Sequence, residues 1–133
     1  MEGSKINIVD LLLAQDASKI RDLPTAQIRI TRLSDIIGAD FCLEIRALTG
    51  AEIESMPDGM EGIDRKILTA VKNFDFTDAQ LRGKFTPEGR CTPLTPTELI
   101  DVLLLPGEKI QIVRKINDLS GYTDDAVEVI KKN

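Results

Sequence analysis

QIRITRLSDIIGADFCLEIRAL, residues 27–48, is the stretch whose reading decides the fold class. In residues 27–33, Ile28 and Ile30 alternate with Arg29, Thr31 and Arg32. In residues 41–48, Phe41, Leu43, Ile45 and Ala47 alternate with Cys42, Glu44 and Arg46. Successive side chains of a strand point to opposite faces, and β-branched and aromatic residues suit a pleated, half-buried surface. The intervening SDIIGAD carries Asp35, Gly38 and Asp40, residues that suit a turn. The stretch therefore predicts an antiparallel hairpin with one buried face. Arg29 and Arg46 fall on solvent faces, as solubilising charges near Glu44.

Outside this hairpin the chain reads as helix and loop. Towards the N-terminus, Ile6, Val9 and Leu13 share one helical face, with Leu12 beside it and Ser4 as a cap. So short a helix is marginal alone and needs a partner surface. Towards the C-terminus, Thr49 and Glu52 form a capping box for a short helix through Met56, stopped by Pro57. Ile63, Ile67, Ala70, Val71 and Phe74 predict a helix over 61–73, although Leu68, Ala70 and Val71 also permit a strand. Thr77 with Gln80 caps another short helix ending near Gly83.

Residues 84–97, with Pro87, Gly89, Pro93 and Pro96, form the longest interruption and the segment where ordering on binding is expected. Thr95, Pro96 and Glu98 then make the strongest helix start in the chain, opening an apolar helix over 96–105. Pro106-Gly107 ends it, and Pro106 begins a second helix through Leu119, closed by a left-handed Gly121. Asp124 and Asp125 precede AVEVIKKN, which either adds a last helical turn or frays. The expected architecture is α+β: one helix-rich domain over 1–133 with a small antiparallel sheet. Residues 1–83 hold the helix, hairpin and further helices, 84–97 the proline-rich loop, and 98–133 a C-terminal helical subdomain.

Composition narrows the function. The 133 residues carry 17 Lys+Arg against 22 Asp+Glu, a formal charge of −5. An acidic balance argues against a life spent on phosphate backbones, so no nucleic-acid partner is expected. The absence of His removes His-based acid/base catalysis and every His-containing metal site. Two Cys cannot supply a four-thiolate zinc site, and no phosphate-binding glycine loop or nucleophile elbow occurs. No cofactor and no catalytic residue is expected. The N-terminus lacks a basic segment followed by a long apolar run, and no window approaches the ~20 apolar residues of a membrane span. The expectation is a cytoplasmic protein without a membrane partner, with Cys42 and Cys91 reduced.

The C-terminal third carries a resemblance. LTPTELIDVLLLPGEKIQIVRKINDLSGY, residues 94–122, resembles the same region of the XkdN-like phage tail assembly chaperones. The shared pattern rests on Thr95, Pro96, Glu98, Leu99, Leu103, Leu104, Leu105, Pro106, Gly107 and Glu108, then Leu119, Ser120 and Gly121. ALTGAEI at 47–53 is similar to the family's middle segment, and DFTDAQL at 75–81 to another element, with Phe74 where the family usually has Pro.

The resemblance implies a non-catalytic assembly factor of a contractile-tail phage or prophage. It implies action in the host cytoplasm and absence from the mature virion. The implied partner is the tape-measure protein, kept soluble while the tail tube protein assembles around it; a weak homo-oligomer is compatible with this. The competing reading is a structural tail or baseplate component that stays in the particle. Candidate partner-binding residues are Leu103, Leu104, Leu105, Pro106, Gly107 and Glu108, with Ile6, Val9 and Leu13 at the other end. The plainer alternative is that both stripes form the domain's own core.

Overall fold

The two alternating stretches pair. In a computed structural model, which describes residues 7–130, β1 (Thr25–Arg29) runs antiparallel to β2 (Cys42–Arg46). Thr25 faces Arg46 and Arg29 faces Cys42. The first strand differs from expectation at both ends. It begins before Gln27 and stops at Arg29, and a helix, α3 (Thr31–Ile37), replaces the expected end of the strand and the turn. Leu33, Ile36 and Ile37 recur at helical spacing, and Ser34 fixes the corner. Its hydroxyl donates to the Ile30 carbonyl and accepts the Phe41 N–H, both at 2.8 Å. Gly38 ends α3 at φ +73°, a conformation glycine reaches without Cβ strain.

Arg29 and Arg46 are ion-paired rather than free. Arg29 donates to Asp40 at 2.9 Å, and Arg46 meets both Glu52 carboxylate oxygens at 2.9 and 2.7 Å. Glu52 is also the capping residue of α4 (Gly50–Glu54), which ends before the expected Met56. Its hydrogen bonds from Arg46 and from the Thr49 backbone hold its carboxyl down at about 2.

The ambiguous stretch after Pro57 is a helix, α5 (Gly59–Ala70). Both of its sequence signals have a place. Ile67 and Ala70 are buried on the helix, while Val71 leaves it and forms an isolated bridge to Ile45. Lys72 N–H donates to the Glu44 carbonyl at 2.8 Å, and the Asn73 amide holds Glu44 N–H and the Cys42 carbonyl. The outer edge of β2 is thereby closed. Gly62 is required where α5 meets the preceding turn: a Cβ there would lie 1.9 Å from the Pro57 carbonyl oxygen.

Next comes α6 (Ala79–Lys84), capped by Asp78 and not by the expected Thr77. The Asp78 carboxylate accepts Leu81 N–H, while the Thr77 backbone and hydroxyl both donate to Asp75. The proline-rich loop is tied down. Arg90 grips Glu98 with two bonds of 2.8 and 2.7 Å, and Arg82 reaches the carbonyl of the buried Leu94. The last two helices are α7 (Pro96–Leu103), with its capping box from Thr95 and Glu98, and α8 (Pro106–Leu119). At the end of α8, Gly121 has φ +93° and its N–H reaches the Asp118 carbonyl, while Tyr122 N–H reaches Asn117. These are the two bonds of a Schellman stop.

Leu43 and Ile45 of β2, Ile67 of α5, Leu99 and Ile100 of α7, and Ile112 and Ile116 of α8 meet in one buried cluster. Each such side chain is worth about 1.5–3 kcal/mol when removed from water. The sheet thus forms one wall, α8 packs against both of its strands, and α5 packs in turn on α8 and α7. The segment ahead of β1 is different. It folds into α1 (Ile8–Leu13), capped by Asn7, and α2 (Ala17–Arg21), and neither helix contains a buried residue. Ser4 and Ile6 lie outside the described residues. Beyond Tyr122 no helical turn follows up to Ile130.

Candidate partner-binding surfaces

The LLLPGE block forms the elbow between α7 and α8. Its three leucines have three environments. Leu104 is buried in the core, Leu103 is half-buried, and Leu105 is exposed, as are Pro106 and Gly107. Glu108 is half-buried and holds the corner. Its carboxylate accepts Leu105 N–H at 2.7 Å and two bonds from Arg32, at 3.1 Å from Nε and 3.0 Å from Nη2. Arg32 Nη2 also donates to the Leu103 carbonyl at 2.7 Å, satisfying the last turn of α7. The hydrogen bond from Arg32 pulls the Glu108 pKa below the usual carboxylate range. Of the elbow residues, Leu105, Pro106 and Gly107 face outward; Leu104 and Glu108 serve the fold.

Beneath the elbow sits an ionic cluster that sequence reasoning missed. Lys109 of α8 is only 4% exposed and Asp64 of α5 only 6%. Lys109 Nζ lies 3.0 Å from Asp64 Oδ1 and also bonds Asp101 of α7. Burial works against the Lys109 ammonium, but its hydrogen bonds to Asp101 and Asp64 outweigh this, and its pKa is raised. Burial likewise raises the Asp64 pKa, against the pull of Lys109. The signal was in the sequence: Lys109 continues the stripe of Ile112, Val113 and Ile116, so a cation stands on a core-facing row.

At the other end, Val9 is 59% and Leu13 77% exposed, and Ile8, Leu11, Leu12, Ile20 and Leu23 are exposed with them. No hydrogen bond ties residues 7–23 to the rest of the described chain; the first link is Ala47 N–H to the Pro24 carbonyl. Among the described residues, the N-terminal apolar side chains from Ile8 to Leu23 are thus not core, and the structure does not bury them against the elbow.

A groove of about 530 Å³ opens between β1 and α8, with Ile28, Ile30 and Ile112 among its walls and Arg29, Arg32, Asp35, Glu108 and Lys115 around them. Among the described residues, no group of three or more acidic or Cys side chains could hold a metal ion. No described helix is long and apolar enough to cross a membrane. Both cysteines are free, Cys42 half-buried and Cys91 exposed.

The family model of the phage XkdN-like tail assembly chaperone proteins matches residues 57–132. No curated protein and no solved structure matches the chain significantly. The matched span takes in α5 to α8, the elbow and the Lys109 cluster, whereas ALTGAEI at 47–53 lies outside it. With more than half of its length inside that match, the chain belongs to the XkdN-like phage tail assembly chaperone family.

Proposed function

We propose that this tail assembly chaperone acts without catalysis by holding the tape-measure protein soluble in the host cytoplasm until tail tube subunits cover it. The observation that carries this reading is the N-terminal pair α1 and α2. Seven large apolar residues between Ile8 and Leu23 face solvent there, on a segment joined covalently to a well-packed body. Contiguous exposed apolar surface marks an interaction site. A long helical tape measure presents apolar stripes before its tube forms, and short amphipathic helices can lie along such stripes. With no Trp and a single Tyr in the chain, the grip rests on Leu, Ile and Val. Such contacts lack the aromatic anchors of tight interfaces and suit a reversible hold. The net charge of −5 keeps the loaded complex soluble. Val9 and Leu13 are the proposed contact residues on α1, and Leu105, Pro106 and Gly107 are a second contact at the elbow.

The test is co-expression with the tape-measure protein of the same phage or prophage. Soluble tape measure should rise severalfold and co-purify with the chaperone. An unchanged soluble fraction sinks the proposal. Mass spectrometry of purified particles separates it from a structural role, because a tail or baseplate component would be found there in stoichiometric amount.

A further inference from the structure

The two edges of the small sheet are unequal. The outer edge of β2 is closed by Val71, Lys72 and Asn73. The outer edge of β1 is open. Ile30 N–H donates to Phe41 and Ala47 N–H donates to the Pro24 carbonyl, so with a period of two the inward-pairing residues are Pro24, Ala26, Ile28 and Ile30. Thr25, Gln27 and Arg29 therefore turn their N–H and C=O groups to the other side, and no hydrogen bond to them occurs among the described residues. Beside this edge lies the groove against α8. An unpaired edge next to an apolar groove is the geometry of strand addition.

The chain itself carries a segment of matching chemistry. Val127 and Val129 are 84% and 85% exposed, with Glu128 between them, and residues 128–130 lie in neither helix nor turn. As a strand beside β1, this segment would turn Val127 and Val129 towards Ile28 and Ile112. Glu128 would join Arg29 on the opposite face. Asp124, Asp125 and Glu128 also complement Lys115, a groove cation without an ion pair among the described residues. Arg29 and Arg32 already face Asp40, Asp35 and Glu108.

We propose that a second copy of the chain adds residues 126–130 to the open edge of β1, so that two copies exchange tails. The alternative, closure by the chain's own tail, is less favourable. Ser120 at the end of α8 accepts Leu48 N–H, which places the start of the tail beside the β1 end that holds Thr25. From there the same chain reaches the edge most directly in the parallel sense, whereas a second copy can enter in the more stable antiparallel sense. An exchange of identical segments gives a closed two-fold dimer.

Light scattering of the full chain over a range of concentrations tests this. The expected result is a monomer that becomes a dimer as concentration rises. The V127D/V129D variant changes only exposed residues and should weaken dimerisation at least tenfold. Gln27→Pro removes an outward N–H and should do the same. An equimolar mixture of the two should recover a heterodimer, since one supplies an intact tail and the other an intact edge. A chain that stays monomeric throughout overturns the proposal. So does a dimer that V127D/V129D leaves intact, or a monomer whose residue 127–129 amides resist hydrogen exchange, which is closure by its own tail. Should Gln27→Pro lose its circular dichroism spectrum, Lys115→Glu replaces it, and a dimer of unchanged strength then counts against the proposal.

Discussion

Lys109 is the residue on which three helices converge. Its ammonium answers the Asp64 carboxylate inside the core and reaches Asp101 at the surface. Replacing one member leaves the other buried without a counter-charge, which typically costs about 3–5 kcal/mol. Lys109→Met should therefore cost about 3 kcal/mol of stability, read from a lowered urea midpoint, with Asp64 left stranded. The double variant D64L/K109M should recover most of that loss, because an apolar pair of similar volume satisfies the same space. A double variant whose loss equals the sum of the separate losses of D64L and K109M would show that the pair is not coupled. The presence of a cation on the α8 stripe was visible in the sequence, but its partners were not, because Asp64 and Asp101 come from other helices.

At the scale of the element, capping decided how well the helices could be read. Thr49 with Glu52 and Thr95 with Glu98 make reciprocal bonds across three residues, so their geometry is encoded locally. Glu52 and Glu98 both titrate at about 2, Glu52 chiefly through Arg46 and Glu98 chiefly through Arg90. Their pKa values are depressed below the unfolded value of about 4.3. The stability they confer is therefore complete above that value and is lost as pH falls towards 2. Asp64 has the opposite sign, its raised pKa favouring the fold in acid. Denaturation midpoints should fall between pH 4.5 and 2, and Glu52→Gln should flatten that fall. An unaltered pH profile in the variant would remove Glu52 from the account. The helix at 31–37 was harder to read. Ile28 and Ile30 continue an alternation that Thr31 and Arg32 do not contradict, and the hydroxyl of Ser34, bonded to Ile30 and Phe41, is what turns the chain.

Across the whole molecule, packing separates a body from an appendage. Core residues run from Ile30 to Ile116, while residues 7–23 contribute none. V9D/L13D should leave stability within about 0.5 kcal/mol of the parent, as expected for substitutions at exposed sites. The same variant should abolish the rise in soluble tape measure on co-expression. A large loss of stability would instead return α1 to the body of the protein.

The sequence by itself determined the strand pair, the capping boxes at Thr49 and Thr95, the start of α8 at Pro106 and the family, because each is written in residues a few positions apart. Tertiary structure alone decided which apolar residues are free. Ile8 and Ile67 are alike as residues, yet one stands in water and the other is sealed. Leu103, Leu104 and Leu105 are identical, and only Leu104 is enclosed. Burial is set by what distant segments bring over a side chain. Here α5, α7, α8 and β2 close over one cluster, and no residue of α1 is buried.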